Sequence, residues 1–233
     1  MFAFIQTISL IDWLGLAWFI LCWIGYDWYS EHSAAARHGL VQIFHGYRKL
    51  WAKALLGRDN RVADAALISN LMNSVSFYAN TTIYIIAGLF ALLGTLDKVM
   101  NVAADLPFAR GTTQNAIELK LLVLLAIFVV AYFKFTWSLR QFNLLTIMAG
   151  GAPAASAPYD EDYANHLAAI NRLAGDEFNR GIRSYYFGIA AVTWMIQPWL
   201  FFFVTTAILF VLYRRDFRSE ALRAVRNAHQ KEK

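Results

Sequence analysis

Leu121-Leu122-Val123-Leu124-Leu125-Ala126-Ile127-Phe128-Val129-Val130-Ala131-Tyr132-Phe133 holds no ionisable group other than its tyrosine, no proline and no glycine. A helix packed in a soluble bundle keeps a polar stripe at the 3.6-residue period, and this stretch has none. With its flanks it forms an apolar block over 117–135. That approaches the roughly 20 residues needed to cross a hydrocarbon core about 30 Å thick.

Three further blocks share this character, at 8–26, 77–96 and 186–213, the last containing Trp199-Leu200-Phe201-Phe202-Phe203. Aromatic residues lie near the ends of several blocks, where a ring with one apolar and one polar end suits the headgroup region. Of 233 residues 58% are apolar and 16% charged, against about a quarter charged in soluble domains. Mean hydropathy is positive. A soluble domain of this length has too little interior to hide that surface. The expected fold is an all-α integral membrane protein with four transmembrane helices, forming one membrane domain over 1–213. A charged tail follows at 214–233.

Two amphipathic helices are expected at the interface. Over 38–56, Leu40, Val41, Phe44, Tyr47, Leu50, Trp51 and Leu55 recur at three- and four-residue intervals between Arg48, Lys49 and Lys53. A basic amphipathic helix of this kind lies against anionic lipid. The second, over 160–173, follows the breaker at 150–158 and takes Asp160 as its cap. The second and third membrane helices are expected to run on past the bilayer, over about 65–96 and 118–148. Pro198 should kink the fourth span, because it removes a backbone hydrogen bond and crowds the preceding turn.

Orientation gives a tie. With four spans both termini share a face, and the first and third loops carry ten Lys and Arg against nine on the opposite side. The excess that marks the cytoplasmic side is therefore missing. The basic loop helix suits a cytoplasmic leaflet and favours an outside N-terminus. No cleavable signal is expected, since the start lacks a basic region and the first block carries Asp12. Cys22, the single cysteine, cannot form an internal disulfide and reads as a packing residue.

Several segments in order resemble a bacterial and plant membrane-protein family, domain-of-unknown-function family 599 (DUF599). They are Trp13-Leu14-Gly15-Leu16-Ala17-Trp18-Phe19, Asn80-Thr81-Thr82, Glu118-Leu119-Lys120, Phe133-Lys134-Phe135-Thr136-Trp137-Ser138-Leu139-Arg140-Gln141-Phe142-Asn143 and Phe178-Asn179-Arg180-Gly181-Ile182-Arg183-Ser184-Tyr185-Tyr186-Phe187. The resemblance covers about residues 8–215. It implies a multi-span membrane protein of no established activity and supplies no catalytic residue.

Polar residues in or beside apolar blocks are the candidates for binding. Lys134 closes the third block, with Arg140 and Gln141 one to two turns on. It can contact an anion or headgroup, pair with an acid, or snorkel to the interface. Asn73, Asn80 and Thr81 fall on one face of the second helix, where they can line a path or bond to another helix. Arg180 and Arg183 precede the fourth span and can grip a phosphate or anchor at the interface. His38 and His45 could share a helix face, but their spacing with no cysteine does not make a metal or haem site, so no metal or cofactor is expected. No phosphate loop, nucleophile elbow or zinc-protease motif occurs, so no enzyme is expected. The net charge of +5 borders membrane segments and does not form a nucleic-acid patch.

Two functions fit this pattern, both at the cell inner membrane. One is an accessory or scaffolding protein that contacts lipid and a membrane-protein partner. The other is a small oligomeric transporter or channel, with polar residues of the second and third helices along its path.

Overall fold

The computed structural model describes residues 9–36, 39–98, 113–220 and 222–224. Residues 1–8, His38 and half of the charged tail lie outside that set. Among the described residues all regular structure is helical: α1 (Leu10–His32), α2 (Leu40–Leu56), α3 (Val62–Leu93), α4 (Gln114–Gly150), α5 (Glu161–Trp194) and α6 (Pro198–Phe217).

The starts follow local chemistry. Ser9 caps α1, its hydroxyl accepting the Asp12 N–H. The Asn60 side chain accepts the Val62 N–H before α3. The Thr113 hydroxyl accepts the Ala116 N–H before α4, and Asp160 accepts the Tyr163 N–H before α5. Each satisfies one of the donors a helix start leaves free. The expected helix over 160–173 has its predicted cap, but it is the first part of α5 and runs on unbroken to Trp194.

The expected kinked helix over 186–213 is two helices. α5 stops at Trp194, the Met195 and Ile196 N–H groups close a turn onto Val192 and Thr193, and α6 begins with Pro198. Proline disfavours helical geometry in the residue before it and suits the first turn of a new helix. Here it starts a helix and does not bend one.

The chain divides into two units, built from 1–33, 82–131 and 182–214, and from 34–81, 132–181 and 215–233. Five helical segments form the first: α1, the second part of α3, the first part of α4, the second part of α5, and α6. Near one end of this bundle the Trp194 indole meets Asp12, and Leu92, Leu121 and Met195 line one cavity. At the other end Arg183 meets Asp27, Thr82 meets Tyr185, and Tyr29 meets Tyr213. So α1, α4 and α6 run one way, and α3 and α5 return.

The α5 segment is the centre of this bundle. Arg183, Ser184, Phe187, Gly188, Ala190, Ala191 and Trp194 are all buried. Trp194 stacks on Phe201 at 4.9 Å, and Phe187 meets Phe19 edge-on at 5.6 Å. Outside, the pattern is inverted from that of a soluble protein: Leu14, Leu21, Ile24, Tyr84, Phe90, Phe203 and Phe210 are exposed. Among the described residues, three helices are long and apolar enough to cross a membrane: α1, α3 and α4.

In the second unit, α2, the first part of α3, the second part of α4 and the first part of α5 pack together. Leu55, Ile68, Leu145 and Leu167 are fully or almost fully buried. Gly181 admits Phe135, whose ring stacks with Tyr78 at 5.6 Å.

Candidate functional site

The first unit holds two charged clusters, one enclosed and one with a half-buried acid. At its Trp194 end, the Lys120 ammonium stands 3.3 Å from Asp12 Oδ1, and the Trp194 indole N–H donates to the same oxygen at 2.7 Å. The Ser9 hydroxyl donates to Asp12 Oδ2 at 2.5 Å. The ammonium also lies 5.5 Å from the Trp194 ring centroid, within cation–π range. Three helices therefore meet on one carboxylate.

At the other end, Arg183 donates from Nη1 to Asp27 Oδ1 at 2.9 Å and to the Ser30 hydroxyl at 2.5 Å. Its guanidinium carbon lies 5.8 Å from the Tyr26 ring. Asp12 and Asp27 are ~22 Å apart along α1 at about 1.5 Å per residue, so an apolar layer separates the two clusters. The hydroxyls of Thr82 and Tyr185 bond at 2.7 Å at this second end.

The second unit holds three clusters. Asp64 is fully buried and accepts from the Trp51 indole and from Arg58 on Oδ1, while no hydrogen bond reaches Oδ2. Glu177 lies 3.1 Å from the Lys134 ammonium and 2.5 Å from Arg180. His45 Nε2 lies 2.9 Å from Asp176, with Arg48 at 3.9 Å from the same oxygen. Burial pulls the Arg48 guanidinium below its usual value and Arg172 adds to this, while Asp176 opposes both. It stays charged, as arginine does.

The sequence candidates fare unequally. Lys134 and Arg180 converge on Glu177, so of the three contacts left open for Lys134 the one found is with an acid. Arg183 has the Asp27 partner. Arg140 is exposed and packs over its own helix's Trp137 at 5.6 Å. Gln141 Oε1 is buried without a hydrogen bond. Thr81 donates to the Phe77 carbonyl of its own helix. Asn73 and Asn80 are exposed on α3. The eight candidates do not form one site.

The most enclosed cluster, Asp12–Lys120–Trp194, was not singled out as a site. Its signal was present: an ionisable residue inside an apolar block is costly and needs a partner, and Lys120 sits inside 117–135. Among the described residues no group of three His, Cys, Asp or Glu side chains is placed to hold a metal ion.

The chain belongs to the DUF599 family, a protein family of unknown function, whose model matches residues 14–221. No curated protein and no solved structure matches it.

Proposed function

We propose that the chain is a non-enzymatic accessory or scaffolding protein of the cell inner membrane. In this reading it crosses the bilayer five times with its N-terminus outside and works through contact with lipid and a partner protein. The observation that carries the membrane reading is the inverted first unit, with bulky apolar side chains outward and ion pairs inward. Lipid rewards that arrangement and water penalises it.

The reversal before Pro198 supports five crossings over four. The α5 segment is short for a span, but its neighbours in the bundle cover it, so it presents little surface to lipid. α6 offers an apolar run from Pro198 to Tyr213. An odd number also removes the tie in basic residues. The tail, with Arg214, Arg215, Arg218, Arg223, Arg226, Lys231 and Lys233, then joins the ten of the first and third loops. Lys98 and Arg110 stay opposite. The basic side is cytoplasmic by the rule that Lys and Arg are retained there. A green fluorescent protein fused after Lys233 should then glow, and an alkaline phosphatase fused there should be inactive. Four crossings with an outside N-terminus predict the reverse.

The accessory role rests on how the polar groups are spent. Each charged residue buried among the described residues has an ion-pair partner. Meanwhile α2 leaves Phe44 and Leu50 exposed beside the exposed Lys49 and Lys53, a surface suited to headgroups and a partner. Native mass spectrometry of the tagged protein, extracted gently at its natural level, tests this. A stoichiometric second polypeptide that dissociates on Phe44→Ala with Leu50→Ala supports it; a chain that carries none sinks it.

One observation favours the transporter or channel reading. Asn70, Asn73 and Asn80 stand exposed on α3 among exposed Leu67, Leu71 and Phe77, which a second copy could cover through interhelical hydrogen bonds. That reading requires a homo-oligomer, and solute flux that Asn80→Leu abolishes while the protein still inserts.

A further inference from the structure

We infer that a slot between α1 and α6 holds one acyl chain of an anionic phospholipid from the cytoplasmic leaflet, with its headgroup at Arg214. This deepens the lipid contact proposed above and rests on the membrane-spanning reading.

The slot belongs wholly to the first unit. α1 and α6 run side by side, meet where Gly15 and Phe19 pack on Phe201, and touch again at two levels further along. The Trp18 indole donates to the Thr206 hydroxyl at 3.2 Å, and the rings of Tyr29 and Tyr213 meet at 6.4 Å. Between these levels they part, leaving a space of about 500 Å³ along Leu21, Cys22, Gly25, Leu209 and Phe210. Small-molecule sites fall at about 300–1,000 Å³.

Gly25 decides how this space is read. Glycine inside a helix is unfavourable by about 1 kcal/mol relative to alanine. In membrane helices it repays that by letting another backbone come close. Gly15, ten residues earlier, does so: a β-carbon there would lie 3.2 Å from Phe201. A β-carbon on Gly25 would meet nothing within 4 Å. Among the described residues nothing uses the room that Gly25 leaves.

Dimensions select the occupant. Trp18 and Tyr29 are ~17 Å apart along α1 at about 1.5 Å per residue. A volume near 500 Å³ spread over that length makes a narrow groove lined almost wholly by apolar side chains. A helix with its side chains is about 10–12 Å across and would not enter it whole. A polymethylene chain fits, because its carbons make contacts at about 3.5–4.0 Å.

Charge selects the headgroup. Arg214 is exposed and lies one turn beyond Phe210 on the same face of α6. It marks the slot's Tyr29–Tyr213 end. Of the two acids on α1 that flank this level, Asp27 is engaged by Arg183, and Glu31 is likewise not free. That end faces the cytoplasm in the proposed orientation, where the leaflet is anionic.

The experiment uses the full chain in nanodiscs of equal phosphatidylcholine and phosphatidylglycerol, with lipid retention read by native mass spectrometry. One phosphatidylglycerol should stay with each wild-type chain. Gly25→Leu, which fills the slot, should cut retention by at least about tenfold. Arg214→Gln should keep a lipid but lower the preference for phosphatidylglycerol by about fivefold, the effect of one basic residue at an anionic surface. A diazirine-bearing acyl chain should label the 18–29 segment of the wild type, which keeps the inference testable if Gly25→Leu does not fold. Equal retention by Gly25→Leu, or label spread evenly around the bundle, overturns it. So does a dimer that Gly25→Leu dissociates, which would make the slot a contact between copies. Failure to enter the nanodisc at all would instead overturn the membrane-spanning reading itself.

Discussion

Asp12 and Lys120 face each other at 3.3 Å from α1 and α4, with side chains only 9% and 5% exposed. Each alone would be a buried charge between apolar turns. Together with the indole N–H of Trp194 they tie the start of α1 to the start of α4 and to the end of α5. Such a pair adds little net stability, because desolvation offsets the attraction, but removing one partner strands the other.

A double-mutant cycle should therefore be strongly non-additive. Lys120→Met or Asp12→Asn alone is expected to destabilise the protein by about 3–5 kcal/mol, and the double variant by clearly less than the sum. Reversible unfolding in mixed micelles measures this. Additive losses would mean the two groups do not sense each other.

Gly25 and Gly181 should respond oppositely to the same substitution. A β-carbon at Gly181 would lie 2.5 Å from the Phe135 ring. That ring is fully buried and held by Tyr78 and Phe178, so it has nowhere to go. Gly181→Ala should cost about 1–3 kcal/mol, the usual range for overpacking. Gly25→Ala meets open space and should be neutral or stabilising by up to about 1 kcal/mol. Thermal midpoints of the two variants in one detergent give the comparison.

Much of the fold was legible because long apolar helices announce themselves. α1, α3 and α4 are apolar over most of their surface, and their blocks at 8–26, 77–96 and 117–135 lie within or close to the helices found. The part of α5 in the first unit was not legible as a helix of its own. It carries Arg183 and Ser184 and is a short run over 182–194, packed mostly against other helices. Hydropathy thus merged this part with α6 into one block, and the kink expected at Pro198 hid a reversal. The candidate clusters were half legible for a similar reason. Sequence identifies a charge that needs a partner, as with Lys134, but the partner Glu177 sits on another helix with nothing local to mark it. Asn73 and Asn80 shared a helical face as read, yet that face is the exposed one.

Asp64 links α2 to α3 by accepting from Trp51 and Arg58. Trp51 is thus committed inside its own unit, and Trp51→Ala would disturb folding before any partner contact. Asp64→Ala should cost about 1–3 kcal/mol, the penalty for stranding a buried donor; Arg58, half exposed, can turn to water and limits the loss. Hydrogen exchange should quicken across Leu40–Leu56 and much less across Pro198–Phe217. Uniform quickening in both helices would contradict a local link.

Asn80→Leu and Lys134→Met separate the two functional readings through stability as well as flux. Asn80 is exposed on α3, so in an isolated chain its replacement should change stability by no more than about 0.5 kcal/mol. Lys134→Met leaves Glu177 with Arg180 as its remaining cation, and because Lys134 is itself a third exposed the loss should stay near 1 kcal/mol. If Asn80 instead packs against a second copy, Asn80→Leu should weaken the oligomer and make the unfolding midpoint depend less on protein concentration. A midpoint independent of concentration in both wild type and variant would leave Asn80 without a second copy against it. The case for a path through an oligomer then loses its only structural support.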